Sequence, residues 1–406
     1  MTKPRTTEPM RTQGVIRFEM PDDELAHDHP ARVLWLALGK LDLSAFLAGA
    51  RSVHGRAGRP THSPRMLLTL WTYAISRGVG SARAIERLVE TDRAYGWIVG
   101  DAHVSHHVLS RFRVGHHAAL DKLMTDILGA LMHKGLLSLE LVAIDGMRVR
   151  AAASAPSFRR AESLEACREQ AALHLKAVLA QADDPELSAA QKAAREAGAR
   201  DFARRIEEAV LVVEELAASP TRRGAPRAST TDAQARVMKM ADGGFRPALN
   251  VQTATAGHPE GGPRTIVAIE VTNVGSDMSA VIPMLAQIEA RTEQLPTYLL
   301  ADGNHQSHQG IIDAMCRGVV PLVPVKANSS AKLRDSAIEI WKENMATARA
   351  KELYRARSSL CELTNALMRA RGLNQFLVRG LHKAGCVALL VAIASNLVTH
   401  LTALAS

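Results

Sequence analysis

Two apolar runs each deliver an aspartate followed by a glycine, and this pair constrains the fold more than any other feature. LVAIDGMRVR (141–150) climbs through apolar residues to Asp145-Gly146 and then turns basic at Arg148 and Arg150. PTYLLADG (296–303) does the same and arrives at Asp302. Short apolar runs that end on turn residues read as buried strands. An acid at one strand end is a turn residue or cap. Two acids delivered alike become chemically meaningful if the strands are neighbours in one sheet, so the strand order decides their role.

The order follows from the intervening segments. FRPALNVQTATA (245–256) and TIVAIEVTNV (265–274) are strand-like, and GHPEGGPR (257–264) is a hairpin turn between them. SDMSAVIPMLAQIEART (276–292) is a helix that Ser276 can cap, with Val281, Met284, Leu285 and Ile288 on one face. HQGIIDAMCRG (308–318) is another helix, VVPLVPVK (319–326) another strand, and the chain is helical from about residue 335. Three successive strands followed by strands alternating with helices is the RNase H-like order: a meander extended by parallel strands. The expected fold is therefore α/β, an RNase H-like core of mixed sheet flanked by helices.

Two further regions lie outside that order. Residues 156–218 are rich in Ala, Glu, Arg and Leu without strand alternation, which predicts two long helices turning at Asp183-Asp184-Pro185. From Ser63-Pro64 to about residue 135 the chain reads as short helices. Within it, SARAIERLVETD and the segment after Ser105, with Arg111 and Arg113, outline a helix-turn-helix. That outline suits a DNA-reading module and a plain helical bundle equally. The predicted organisation is a helical, DNA-binding domain over 15–135, a core from 136–155 and 235–406, and an inserted helical hairpin with its loop over 156–234.

An RNase H-like core that cuts phosphodiesters needs carboxylates from different elements at one sheet edge. Two divalent ions bring four positive charges, and several acids are required to hold them. Asp145 and Asp302 are two such acids. Asp242, before Gly243-Gly244, is the rival to Asp302, but a glycine loop delivers it instead of an apolar strand. His305 and His308 (HQSH) lack the third ligand of a metal motif, and the pairs His106-His107 and His116-His117 point apart on a helix.

The third acid comes from KELYRARSSLCELTNALMRARGL (351–373), which carries Tyr354, Arg357, Glu362 and Arg369. This spacing resembles the tyrosine–arginine–glutamate–basic pattern of bacterial insertion-sequence DDE transposases. SARAIERLVETDRAYGWIVGDAHVSHHVLSRFR resembles their N-terminal helical domain; LVAIDGMRVRAAAS, TTDAQARVMKMADGGFRPALNVQTATAGHPEGG and the LLADG segment resemble their core. The resemblance covers nearly the whole chain from about residue 15. It implies a metal-binding catalytic triad of Asp145, Asp302 and Glu362, with Tyr354, Arg357 and Arg369 at the accompanying DNA-contacting positions. Arg369 stands where Lys is more usual; it keeps the charge and adds bidentate phosphate geometry.

The implied activity is Mg²⁺-dependent cleavage at the ends of an insertion element, with Mn²⁺ able to substitute, and transfer of the freed 3′-OH into target DNA. The expected partners are double-stranded DNA, as terminal inverted repeats and target, and a second copy of the chain. A nuclease without strand transfer, or an inactive DNA-binding protein, are the alternatives. The net charge of +9 favours a polyanionic partner. Between residues 346 and 383, eight Lys or Arg face two Asp or Glu. Four scattered cysteines without a CxxC pair argue against a disulfide framework or structural zinc. The N-terminus lacks the apolar segment of a signal peptide, and CVALLVAIASNLVTHL (386–401), interrupted by Ser395, Asn396, Thr399 and His400, reads as a buried helix instead of a membrane span. A cytoplasmic, nucleoid-associated protein is expected.

Overall fold

The computed structural model describes residues 20–48, 60–181, 186–219, 224–325 and 336–405. The expected turn at 183–185 and the N-terminal segment before residue 20 lie outside them. The strands are β1 (Leu141–Arg150), β2 (Phe158–Arg159), β3 (Ala228–Ser229), β4 (Arg236–Lys239), β5 (Phe245–Ala256), β6 (Thr265–Thr272), β7 (Tyr298–Ala301) and β8 (Val320–Leu322). Six of them form one mixed sheet. β5 pairs antiparallel with β1 on one side and with β4 and then β6 on the other. β7 lies parallel to β1, and β8 parallel to β7. The order β6–β5–β1–β7–β8 is the expected RNase H-like arrangement.

Three local expectations change. β1 does not stop at Asp145; it runs through Gly146 to Arg150, because β5 continues alongside and pairs every residue from Val142 to Arg150. β4 adds to the expected strands: it is a short edge strand in which Met238 is buried but Val237 is half exposed, so its apolar pattern is weak. The helix after β6 starts at Val281, not at Ser276, whose hydroxyl instead accepts the Met278 N–H at 3.3 Å.

The helices are α1 (Pro30–Gly39), α2 (Pro64–Ser76), α3 (Ala82–Thr91), α4 (Arg93–Val99), α5 (His106–Gly115), α6 (His117–His133), α7 (Ala161–Ala180), α8 (Ala189–Ala218), α9 (Val281–Thr292), α10 (His308–Cys316), α11 (Ser336–Ala346), α12 (Ala348–Ala370), α13 (Leu381–Thr399) and α14 (Leu401–Ala405). α7 and α8 pair as the inserted hairpin. Only a few of their residues are buried, among them Leu164, Ala209 and Val213 around Ala228. α8 starts with a capping box in which the Ser188 hydroxyl and the Gln191 side chain satisfy each other's backbone N–H groups.

α13 joins the two halves. It is long and apolar enough to cross a membrane, yet it is buried in the protein and packs on β6, α2, α5 and α6. One continuous apolar core thus runs from Ala31 in α1 to Leu404 in α14. The polar residues that interrupt α13 serve β6. The Asn396 amide donates to Ile266 O at 2.8 Å and accepts the Ile266 N–H at 2.9 Å, as a neighbouring strand would. His400 Nε2 meets Thr265 Oγ1 at 2.8 Å.

Burial holds the His400 ring below its ordinary 6.5. The unfolded chain then binds the extra proton more readily, so this contribution to stability is present above 6.5 and is lost as the pH falls below it. Thermal unfolding between about pH 7 and pH 5 should show a steeper fall for the wild type than for His400→Gln, which keeps a polar group near Thr265. Equal slopes would contradict this role.

Candidate active site

The sheet register brings the two aspartates together. Ile144 of β1 pairs with Ala301 of β7, so Asp145 and Asp302 are the next residues on adjacent parallel strands. Asp302 leaves β7 as the N-cap of a short 3-10 turn: its Oδ1 accepts the Asn304 N–H at 2.9 Å and its Oδ2 the Asn304 amide at 3.0 Å. His305, fully buried, places Nδ1 2.7 Å from Asp302 Oδ1. His308 is occupied differently, edge-on to the Trp341 ring, so the two histidines do not act as a chelating pair.

α12 covers this end of the sheet with one face. Residues 354, 357, 361 and 365 fall at helical spacing and line up on one side. The Tyr354 hydroxyl donates to Ala301 O at 3.3 Å. Arg357 lies 3.5 Å from Asp145 Oδ1, and the Asn365 amide donates to Asp145 Oδ2 at 2.8 Å. Cys361 is buried between them; burial, with the Asp145 charge adding, pushes its thiol far up, so it is an inert apolar filler. The Tyr354 hydroxyl is likewise pushed up by burial.

The two acids are driven apart electrostatically. Burial raises the Asp145 carboxyl above its ordinary value, opposed by Arg357 and assisted by the Asp302 charge. Burial acts upward on Asp302 too, but the His305 bond and charge, the Asn304 N–H and Arg357 outweigh it and bring Asp302 to about 2. The donor set fits a hard divalent cation at the pair: two carboxylates from adjacent strands, one of them disfavoured as a free anion by burial and, to a lesser extent, by its neighbour's charge. Among the described residues, no group of three His, Cys, Asp or Glu is placed to hold a metal.

Glu362 stands one residue beyond the Cys361 position on α12, turned by about 100°, and its side chain is exposed. Asn365 occupies the contact with Asp145 that the sequence reading reserved for an acid from this helix. Arg369 is in the last turn of α12 and half-buried. Asp242 is exposed in the β4–β5 turn, ion-paired with Arg246 at 2.7 Å, far along β5 from the pairing of β1 with β7.

Arg111 is exposed on α5, but Arg113 is buried. Its guanidinium donates to Gly80 O at 2.7 Å and lies 4.9 Å from the centre of the Trp71 ring. This corrects the reading of Arg113 as a DNA contact. It shares the Leu109–Phe112 face, which packs inward. Replacing Arg111 by Ala should weaken DNA binding and lower the salt slope by about one phosphate contact. Replacing Arg113 by Met should instead lower thermal stability by about 1–3 kcal/mol, since Gly80 O loses its donor. A salt slope that changed for Arg113 and not for Arg111 would contradict the assignment.

Other residues were not legible as part of this region. Arg148, one of the two basic residues that end the LVAIDGMRVR run, is bonded to Asp277 at 3.1 Å and Gly275 O at 2.7 Å. Asp277 is buried and also receives Asn250 at 2.8 Å and Gln252 at 2.5 Å. The available signal was Asn250 and Gln252 within a strand read as part of the core, because buried amides require partners.

Comparison with known families gave two matches. A model described as a transposase domain matches residues 20–115, and one described as a transposase DDE domain matches residues 224–397. Together they span about two thirds of the chain. No curated protein and no solved structure matched.

Proposed function

The chain belongs to the insertion-sequence DDE transposases, and on that premise we propose that it cuts the phosphodiesters at the ends of its element and joins the freed 3′-OH to target DNA. The observation that carries this reading is the placement of Asp145 and Asp302 on adjacent parallel strands beneath one face of α12.

Asp145 and Asp302 would hold Mg²⁺, or Mn²⁺ in its place, with Glu362 of α12 as the third acid. Bound there, the ions would supply Lewis-acid stabilisation of the attacking and leaving oxygens. The chain's own residues do the rest. Asn365 holds one oxygen of Asp145 and Arg357 approaches the other, which keeps that carboxylate in one orientation. Among the described residues the buried Arg357 Nε has no partner, and a turn of the guanidinium toward solvent would offer it to a phosphate oxygen. Tyr354 braces α12 against the end of β7 through Ala301 O. Arg369 and Arg111 are the further DNA-contacting cations. No covalent protein–DNA link is required, so Tyr354 is not a nucleophile.

DNA is the partner of this family. Two ends must be joined in one reaction, so two copies of the chain are proposed to act together on DNA in the cytoplasm. A binding-only reading draws on one observation, the exposure of Glu362 away from the aspartate pair.

The test uses labelled element-end DNA, a supercoiled target plasmid and Mg²⁺. Labelled DNA joined to the plasmid is the expected product. Cut ends without joining would identify a nuclease, and binding without cutting would support the binding-only reading.

A further inference from the structure

The face of the sheet opposite α12 carries a chain of buried polar side chains whose direction is fixed by chemistry. Side chains alternate along β1, so Asp145 faces α12 while Gly146 and Arg148 face the other way. Asp277, 6% exposed, is ion-paired there with Arg148 and receives the Asn250 amide. A carboxylate paired with Arg accepts hydrogen bonds and donates none. Gln252 must therefore turn its amide nitrogen to Asp277 Oδ1 (2.5 Å) and its carbonyl oxygen to His305. His305 then donates from Nε2 to Gln252 Oε1 at 3.2 Å, and because a carboxylate oxygen also only accepts, the 2.7 Å contact with Asp302 Oδ1 needs a hydrogen on Nδ1 as well.

Gly146 makes room for this chain. A Cβ at that position would stand 2.6 Å from Asp277 Oδ1 and collide with the Gln252 amide nitrogen. The Asp145-Gly146 pair thus serves both faces at once, with the acid toward α12 and the missing side chain toward the relay.

We infer that Asp277, Gln252 and His305 are positioning residues that set the orientation of the Asp302 carboxylate. The inference rests on Asp302 being one of the acids that hold the cation. Gln252 and His305 are each at most 2% exposed, so neither has water as a substitute partner. Removing the amide would free the His305 ring to turn, and Asp302 Oδ1 would keep the Asn304 N–H but lose the buried side-chain contact that aims it. Partners of this kind, one bond removed from a metal ligand, typically contribute about 10–100-fold in metal affinity.

The test is a titration of the full-length protein with Mn²⁺ alone, read from the resonance signal of free Mn²⁺, with thermal unfolding recorded for each variant. Gln252→Met keeps the side-chain length, removes the donor and leaves only a weak sulfur acceptor, and should bind Mn²⁺ about 10–100-fold more weakly. The double variant Gln252→Glu with Asp277→Asn keeps the total charge. It still offers His305 an acceptor, and should bind within a few-fold of wild type, a rescue that reports coupling between the two neighbours. If Gln252→Met fails to fold, the double variant against Gln252→Glu alone decides, with rescue expected only in the double. Wild-type affinity in a folded Gln252→Met, or no rescue in the double variant, would overturn the relay alone. Wild-type affinity in Asp302→Asn would overturn the site and the relay with it.

Discussion

Asp145→Asn and Asp302→Asn are each expected to lose at least ~10³-fold in the rate of element-end cleavage, the ~4 kcal/mol scale of removing one preorganised electrostatic group from a reaction centre. Both changes keep shape. At position 145 an Asn can still accept from Asn365 but no longer offers Arg357 a charge. At position 302 an Asn can still cap the turn at Asn304, and His305 loses its anionic partner. The fold should therefore survive, because neither acid is a mainstay of the apolar core. Single-turnover cleavage with melting curves on the same samples separates the two effects. Retained cleavage in either variant would remove that residue from the site.

The largest effect on stability is expected far from the acids, at Asn396. Asn396→Leu should destabilise the protein by about 2–5 kcal/mol, because it strands both the N–H and the C=O of Ile266 away from water. The apolar gain of Leu does not offset this, since Asn396 already sits with no exposure in a filled core and a branched side chain must displace neighbours such as Met124. The loss would spread, because α13 packs on β6 and on the N-terminal helices together. Urea unfolding should show one cooperative transition with a lowered midpoint. A midpoint equal to wild type would mean that Asn396 does not act as the missing strand neighbour of β6.

The pairing of Asp145 with Asp302 was legible because strand identity and strand order follow from local patterns: two apolar runs, each reaching an acid, in an order that makes them neighbours. The matching strand lengths were less legible. β1 passes straight through Asp145-Gly146, and a dipeptide that signals a turn locally stays extended when β5 supplies partners on one side for its whole length. Residues whose role comes from contacts distant in sequence were hidden. Asn365 reaches Asp145 across 220 positions, and Gln252 reaches His305 across 53. Arg113 looked like a DNA contact because charge was weighed before helix phase. Its place four residues after Leu109 put it on the inward face, where Trp71 takes it up.

Glu362 is where the resemblance and the structure stand furthest apart. The family pattern gives α12 a third acid, whereas the face of α12 that touches the sheet presents Tyr354, Arg357, Cys361 and Asn365. An acid one position off that face can join the pair only if its side chain or the helix turns toward it. Arg357, partly exposed beside Asp145, is the group whose release to a DNA phosphate would open that space.

The central claim, that Asp145, Asp302 and Glu362 contact the same cation, is tested most directly by exchanging each in turn for Cys and comparing cleavage in Mg²⁺ and Mn²⁺. Thiolate is a poor ligand for hard Mg²⁺ and a better one for softer ions. Each of the three Cys variants is predicted to be inactive in Mg²⁺ and to recover activity in Mn²⁺, while Asp242→Cys, at an exposed turn, cleaves equally in both. Recovery absent from any of the three variants, or the same metal preference at Asp242, would contradict the account.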